Sequence, residues 1–316
     1  MKGAGMSIAE VKDLSKIFGR GSQKIEAVSH VSLQVKEGEI LGVVGESGCG
    51  KSTLGKLMLR LLQPSDGSII FRGQDITRAS YNDMRKIRKD MQMIFQGSSN
   101  AFNPFFNVRQ ILSEPLSNYP ECIQESISDQ MVRVLEEVGL NSEYLDRYSR
   151  ELSGGQRQRV GIARALILDP KFVVCDEAVS SIDYALKNQI LRILYRLKQE
   201  HGSTYLFISH DIEAVRAVCD RVAVMYIGKL VELLPDTYTE GIHPYTQALL
   251  SAALSTDPTQ RSKRKLLFKE NNDKKRIERG CPFQNRCLYA VGECFETDPD
   301  LKEVQPGHFS ACHLHK

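Results

Sequence analysis

Gly45-Glu46-Ser47-Gly48-Cys49-Gly50-Lys51-Ser52-Thr53 follows the apolar run Ile40-Leu41-Gly42-Val43-Val44 and precedes a helical pattern from Leu54 to Leu62. A buried strand feeding a glycine turn that opens a helix brings successive backbone N–H groups and the positive end of the helix dipole to one point. Only an anion satisfies such a point. The pattern G-x-x-x-x-G-K-[ST] adds Lys51 as a point charge for the outer phosphates and the Ser52 hydroxyl for a magnesium ion. The stretch therefore reads as a cradle for a nucleoside triphosphate with Mg2+, in an α/β fold. An uncomplicated glycine-rich helix cap is the weaker reading.

The chain has 316 residues, 41% hydrophobic and 26% charged, which is room for one large domain and a smaller one. A net charge of +3 from 42 basic and 39 acidic residues does not call for a nucleic-acid partner. No apolar run has the length of a bilayer span, and the N-terminus has no signal-like stretch, so a cytoplasmic location is expected. Four of the eight cysteines crowd the last 36 residues, which in such a chain suggests a metal centre rather than a disulfide scaffold.

Along the chain, Ile8 to Val35 reads as short strands broken at Gly19-Arg20-Gly21-Ser22. Phe18 stands where a ring could stack on a purine base or pack in a hairpin. Ser68 to Arg72 and Met91 to Phe95 read as strands. From Gly97 to Leu152 loops and helices take over, including Gln124 to Val138 with Ile127, Met131, Val134, Leu135 and Val138 at helical spacing. Leu152-Ser153-Gly154-Gly155-Gln156 then opens a helix from Gln158 to Leu168, with Ser153 as N-cap and glycines leaving donors exposed.

Phe172 to Cys175 is a continuous apolar run of the buried parallel type, and it ends in Asp176-Glu177. Carboxylates at the C-terminal end of such a strand sit where open α/β sheets bind ligands. Asp176 suits a magnesium ligand and Glu177 a base for the attacking water. Ser181-Ile182-Asp183 leads a helix from Tyr184 to Gln199, and the strand Tyr205 to Ile208 delivers Ser209-His210-Asp211, with His210 toward the terminal phosphate or the water. Arg221 to Tyr226 and Lys229 to Leu233 form a hairpin at Gly228.

This set, over roughly residues 7 to 258, resembles the ATP-binding subunit of ABC transporters. Gly241-Ile242-His243-Pro244-Tyr245-Thr246-Gln247-Ala248-Leu249-Leu250, with Gly280-Cys281-Pro282-Phe283 to Cys312-His313, narrows it to the oligopeptide, dipeptide and nickel importer ATPases. The resemblance implies a P-loop NTPase core with an antiparallel β subdomain, a helical subdomain at about 97–153, an ABC ATPase domain over 1–258 and a cysteine-rich extension over 259–316. It implies a motor that hydrolyses ATP to drive uptake of peptides, or of nickel or a metal chelate.

By the same resemblance two ATPase subunits, alike or paralogous, face each other with ATP between them, and Ser153 and Gly155 of one reach the γ-phosphate held by the other. Gly154 and Gln156 belong to that signature, Gln96 is a magnesium ligand that links nucleotide to the membrane subunits, Asp183 couples the sites, and Phe18 replaces the usual adenine-stacking Tyr. The implied partners are two transmembrane permease subunits and an extracytoplasmic solute-binding protein, with this chain peripheral at the cytoplasmic face of the membrane. Phe102-Asn103-Pro104-Phe105-Phe106 is the expected docking surface for a permease helix. Ala178 and Ser181-Ile182 depart from the family's usual residues without removing a catalytic group. A soluble ABC-type ATPase without membrane partners is the alternative of another class, and a chain with one cassette and no coiled coil fits it poorly.

A basic run, Arg261-Ser262-Lys263-Arg264-Lys265 and Lys274-Lys275-Arg276, reads as a solvated linker. Beyond it, Cys281, Cys287, Cys294 and Cys312 are spaced C-x5-C-x6-C-x17-C, without the paired C-x2-C knuckles usual for zinc. Four thiolates so spaced fit an iron–sulfur cluster, and the resemblance favours [4Fe–4S] with a structural duty. Zn2+ is the alternative, with His308, His313 and His315 as spare ligands. A redox switch in which the cluster gates the ATPase is a further reading.

Overall fold

The computed structural model describes residues 6–95, 102–179, 184–253, 277 and 279–315. The chain opens with β1 (Ser7–Phe18), β2 (Ile25–Lys36), β3 (Ile40–Val44), α1 (Lys51–Met58), β4 (Asp66–Phe71), β5 (Gln74–Asp75), α2 (Tyr81–Arg88) and β6 (Met91–Ile94). A helical segment follows, with α3 (Val108–Asn118), α4 (Ile127–Glu137) and α5 (Gly154–Leu166). The core resumes with β7 (Phe172–Asp176), α6 (Tyr184–His201), β8 (Thr204–Ile208), α7 (Ile212–Val218), β9 (Arg221–Tyr226), β10 (Lys229–Leu234) and α8 (Pro244–Ala253). The C-terminal part carries α9 (Glu293–Glu296), β11 (Lys302–Gln305) and β12 (His308–Ser310).

Two sheets form. β2-β1-β4-β5 is antiparallel, and the larger sheet runs β11-β12-β10-β9-β3-β8-β7-β6. Its centre is parallel, and β3, β7 and β8 are buried throughout and apolar except for Thr204 and Asp176 at strand ends, as suits strands covered on both faces. Alternation sorts their side chains to two faces. Leu41, Val43, Val174, Leu206 and Ile208 join α1 and the small sheet in one cluster, while Ile40, Val44, Val173, Cys175 and Phe207 join the helical segment and α6 in the other.

Ile8 to Val35 forms two long, bulged strands rather than several short ones, because Asp13 and His30 take left-handed backbone conformations without ending the pairing. The first helix starts at Lys51, ahead of the apolar pattern, and the signature helix starts at Gly154 rather than Gln158. Periodicity locates a helix's apolar face; its first turn is set by the cap.

The tail also enters the larger sheet. β12 pairs with β10 through Glu232–Ser310 and Leu233–Phe309, and β11 closes a hairpin at Gly307. Cys281, Phe283, Cys287 and Cys294 belong to the main apolar cluster.

Candidate nucleotide site

The loop Gly45–Gly50 leaves β3 at a sheet position flanked by β8 and β9, so its backbone is framed on both sides. Gly45, Gly48 and Gly50 hold φ of 154°, 83° and 105°, a region in which L side chains are strained. A Cβ on Gly45 would stand 2.2 Å from the Met225 carbonyl oxygen, and one on Gly50 2.1 Å from that of Ala27. The glycines are therefore required by space as well as by dihedral angle. Gly50 caps α1 without any side-chain acceptor for the first-turn N–H groups, which suits an anion. Ser47 and Gly48 form the exposed crest, Cys49 is buried, and Thr53 is partly buried. Burial foremost raises the Cys49 thiol, which stays protonated.

Lys51 is 5% exposed, and its Nζ donates to the carbonyls of Gly45 at 2.8 Å and Glu46 at 2.9 Å. The ammonium thus lies inside the loop it serves. Ser52 Oγ donates to Asp176 Oδ1 at 2.7 Å, joining the first turn of α1 to the end of β7. Burial above all raises the Asp176 carboxyl, against the pull of the Ser52 hydroxyl and the Lys56 cation. A hydroxyl and a buried carboxylate in contact beside an anion cradle are hard oxygen donors of the kind Mg2+ takes.

Glu177 leaves the strand with φ of 49°, while its N–H donates to the Ile208 carbonyl at 3.0 Å. A non-glycine residue in that conformation stores strain, as functional positions often do. Its Oε1 lies 3.3 Å from His210 Nδ1 on an imidazole 59% exposed. Asp211 caps α7 through its side chain and pairs with Lys187, which fixes where His210 stands. The strand ends bring Ser52, Asp176, Glu177 and His210 together beside the loop.

Ser153, exposed, caps α5 in a reciprocal box with Gln156. Gly154 is exposed too, and Gly155 packs so closely under Leu186 that a Cβ would stand 2.2 Å from it. Phe18 ends β1, 39% exposed, with the Lys16 ammonium 5.1 Å above its ring. Gln96, Asp183 and the basic run at 261–276 lie outside the described residues. Of the aromatic patch, Phe105 is 73% exposed, but Phe102 and Phe106 pack on the main core.

Two contacts of the phosphate loop were not expected. Tyr245 Oη accepts the Glu46 N–H at 2.9 Å, and Arg286 Nη1 meets Glu46 Oε1 at 2.8 Å. Both partners lie about 200 residues or more from the loop in sequence, beyond the reach of a motif.

In the tail, Cys281, Cys287 and Cys294 are buried, Cys312 is partly so, and none is in a disulfide. Burial, with neighbouring thiols adding, pushes Cys281 up to about 12 and Cys312 to about 11. In contrast to the expected cluster site, among the described residues no group of three or more His, Cys, Asp or Glu side chains is arranged to hold a metal ion. Cys281, Cys287 and Cys294 pack in the main apolar cluster, with Cys312 near them. The spare histidines each have a protein partner at Nε2. His308 Nε2 is bound to Glu232 at 2.7 Å, His313 to the Thr297 carbonyl and His315 to the Ile242 carbonyl. Glu232, fully buried, also accepts the N–H groups of Ile242 and His243, so it ties β10, β12 and the loop before α8 together.

The ABC transporter family matches residues 28–180, and the C-terminal region of oligopeptide and dipeptide transporters matches residues 232–294. The oligopeptide transport ATP-binding protein AppF of Bacillus subtilis is 42% identical over 98% of this chain and 98% of its own. The ATP-binding cassette MJ0796, in a dimeric post-hydrolysis state bound to ADP and Pi, superposes with a TM-score of 0.64 at 27% identity, over 70% of this chain and 96% of that one. The cbiO1 protein of Clostridium perfringens, part of the transporter complex cbiONQ, gives 0.64 at 29% identity, over 72% and 88%. No helix among the described residues is long and apolar enough to cross a membrane.

Proposed function

Because this chain belongs to the ABC transporter family of ATP-binding subunits, and matches the C-terminal region of oligopeptide and dipeptide transporters over residues 232–294, we propose that it is the ATP-hydrolysing motor of a peptide importer. The observation that carries this reading is the full-length likeness to an oligopeptide transport ATP-binding protein, in a chain whose loop and strand ends converge on one anion site. Nickel or a metal chelate is the alternative cargo.

In this reading the backbone of Gly45–Thr53 wraps the phosphates, and Lys51 exchanges its two loop carbonyls for the outer phosphates. Ser52 and Asp176, with Gln96, hold Mg2+, which when bound neutralises phosphate charge and orients the terminal group. Glu177 takes the proton of the attacking water, and His210 orients the Glu177 carboxylate and meets the terminal phosphate. Phe18 stacks on the base. Ser153, Gly154, Gly155 and Gln156 complete the site of a second subunit, which the exposure of Ser153 and Gly154 supports, and Asp183 couples the two sites.

Residues 1–258 are assigned to the ATPase domain, with 97–153 as its helical part, and 259–316 to the extension. A cavity of about 290 Å³ bordered by Phe95, Phe102, Tyr119 and Arg164 suits a helix from one of two permease subunits. In this reading the chain is peripheral at the cytoplasmic face of the membrane and is served by a solute-binding protein outside. The grouped thiols of Cys281, Cys287, Cys294 and Cys312 support a [4Fe–4S] site that forms on loading, with Zn2+ as alternative; iron, sulfide and zinc analysis of anaerobically purified protein decides between them.

The test of function is reconstitution with the permease and solute-binding subunits in proteoliposomes. Peptide-loaded solute-binding protein is expected to stimulate ATP hydrolysis; stimulation by a nickel complex and not by peptide would shift the cargo.

A further inference from the structure

Glu46 is the one carboxylate inside the phosphate loop, between Gly45 and the exposed crest. A negative side chain there opposes the anion that the loop is built to hold. The structure holds Glu46 at three places. Its N–H donates to the Tyr245 hydroxyl at 2.9 Å, its carbonyl accepts from Lys51 at 2.9 Å and from the Cys49 N–H at 3.2 Å, and its carboxylate meets Arg286 at 2.8 Å.

Arg286 comes from the cysteine-rich tail, one residue before Cys287. Its side chain is only 12% exposed, and the guanidinium lies 5.8 Å from the Tyr226 ring centroid and 5.6 Å from that of Phe283. Tyr226, Tyr245 and Phe283 form a closed aromatic cluster with centroids 4.5–5.5 Å apart, so the guanidinium rests on a rigid floor. Glu46 and Tyr226 also line a cavity of about 320 Å³ beside Ser47 and Gly48. A loop with three glycines at positive φ has little stiffness of its own. The tail supplies stiffness from outside and neutralises the loop's own carboxylate.

We propose that Arg286 is a positioning residue of the phosphate loop, acting through Glu46, so that the cysteine-rich tail sets the affinity of the chain for MgATP. The inference rests on the reading of Gly45–Thr53 as the ATP site. Titration of the wild-type chain with MgATP tests that reading by itself, and only the ratio of variant to wild type tests the role of Arg286.

Arg286→Met keeps the packing on Tyr226 and Phe283 and removes the charge. Its dissociation constant for MgATP is expected to rise about tenfold, the usual weight of a charge-assisted hydrogen bond, with kcat within about twofold of wild type. Arg286→Lys should recover most of that loss. Arg286→Met combined with Glu46→Gln should recover it as well, because no uncompensated carboxylate then remains; a merely unravelled tail could not be rescued from the loop. Should Arg286→Met not fold, Glu46→Asp, which leaves the tail untouched and falls short of the guanidinium, is expected to weaken binding to a similar degree. Wild-type affinity in Arg286→Met, or in Glu46→Asp should that substitute be needed, overturns the proposal. So does a double variant as weak as Arg286→Met.

Discussion

Ser52 Oγ and Asp176 Oδ1 lie 2.7 Å apart, although 124 residues separate them in sequence. The contact joins the start of a helix to the end of a strand, at the proposed magnesium site. Asp176→Asn removes the charge and keeps the shape. Magnesium-dependent nucleotide binding is expected to weaken at least about tenfold, with turnover falling in parallel. Magnesium titration at fixed ATP checks it, and an unchanged midpoint would remove Asp176 from the metal site.

Glu177, 3.3 Å from His210, is the base in the proposed mechanism. Glu177→Gln should keep MgATP affinity while phosphate release falls by about a hundredfold or more. His210→Ala should lower kcat more than it changes affinity. Near-normal hydrolysis by Glu177→Gln would exclude the assigned role.

Glu232 and His308 form a fully buried contact that pins β12 to β10. His308→Ala leaves a buried carboxylate short of one partner, and a loss of about 2–4 kcal/mol of stability is expected. Chemical unfolding measures it. A loss below about 0.5 kcal/mol, the scale of an ordinary surface substitution, would show that the contact does not hold the tail.

Burial foremost pulls the His243 imidazole from its ordinary 6.5 down to about 3, and the neighbouring His315 adds to it. The unfolded chain takes up this proton below 6.5, whereas the folded chain resists it until near 3. The unfolded state therefore binds more protons in between, so this stability is complete above 6.5 and is lost as pH falls toward 3. The loss is at most roughly 1.4 kcal/mol for each pH unit. Unfolding midpoints at several pH values, for wild type and His243→Gln, check this. The variant should show the shallower slope.

The site was legible wherever chemistry is written in adjacent residues. The loop at Gly45, the Ser153 cap and the carboxylates closing β7 each carry a local pattern, and the structure brings Ser52, Asp176, Glu177 and His210 to one place. What escaped is tertiary. Tyr245 and Arg286 reach Glu46 across 199 and 240 residues, and no spacing rule connects them. The β11–β12 hairpin did leave a signal, Pro306-Gly307 between alternating segments, which the cysteine spacing overshadowed.

The claim on which all else depends is that the Gly45–Thr53 loop binds MgATP through Lys51. Calorimetric titration of the purified full-length chain and of Lys51→Ala tests it most directly. Saturable MgATP binding by the wild type, weakened at least about tenfold in the variant, is the expected result. Equal affinity in both, or no binding by the wild type, would contradict the account.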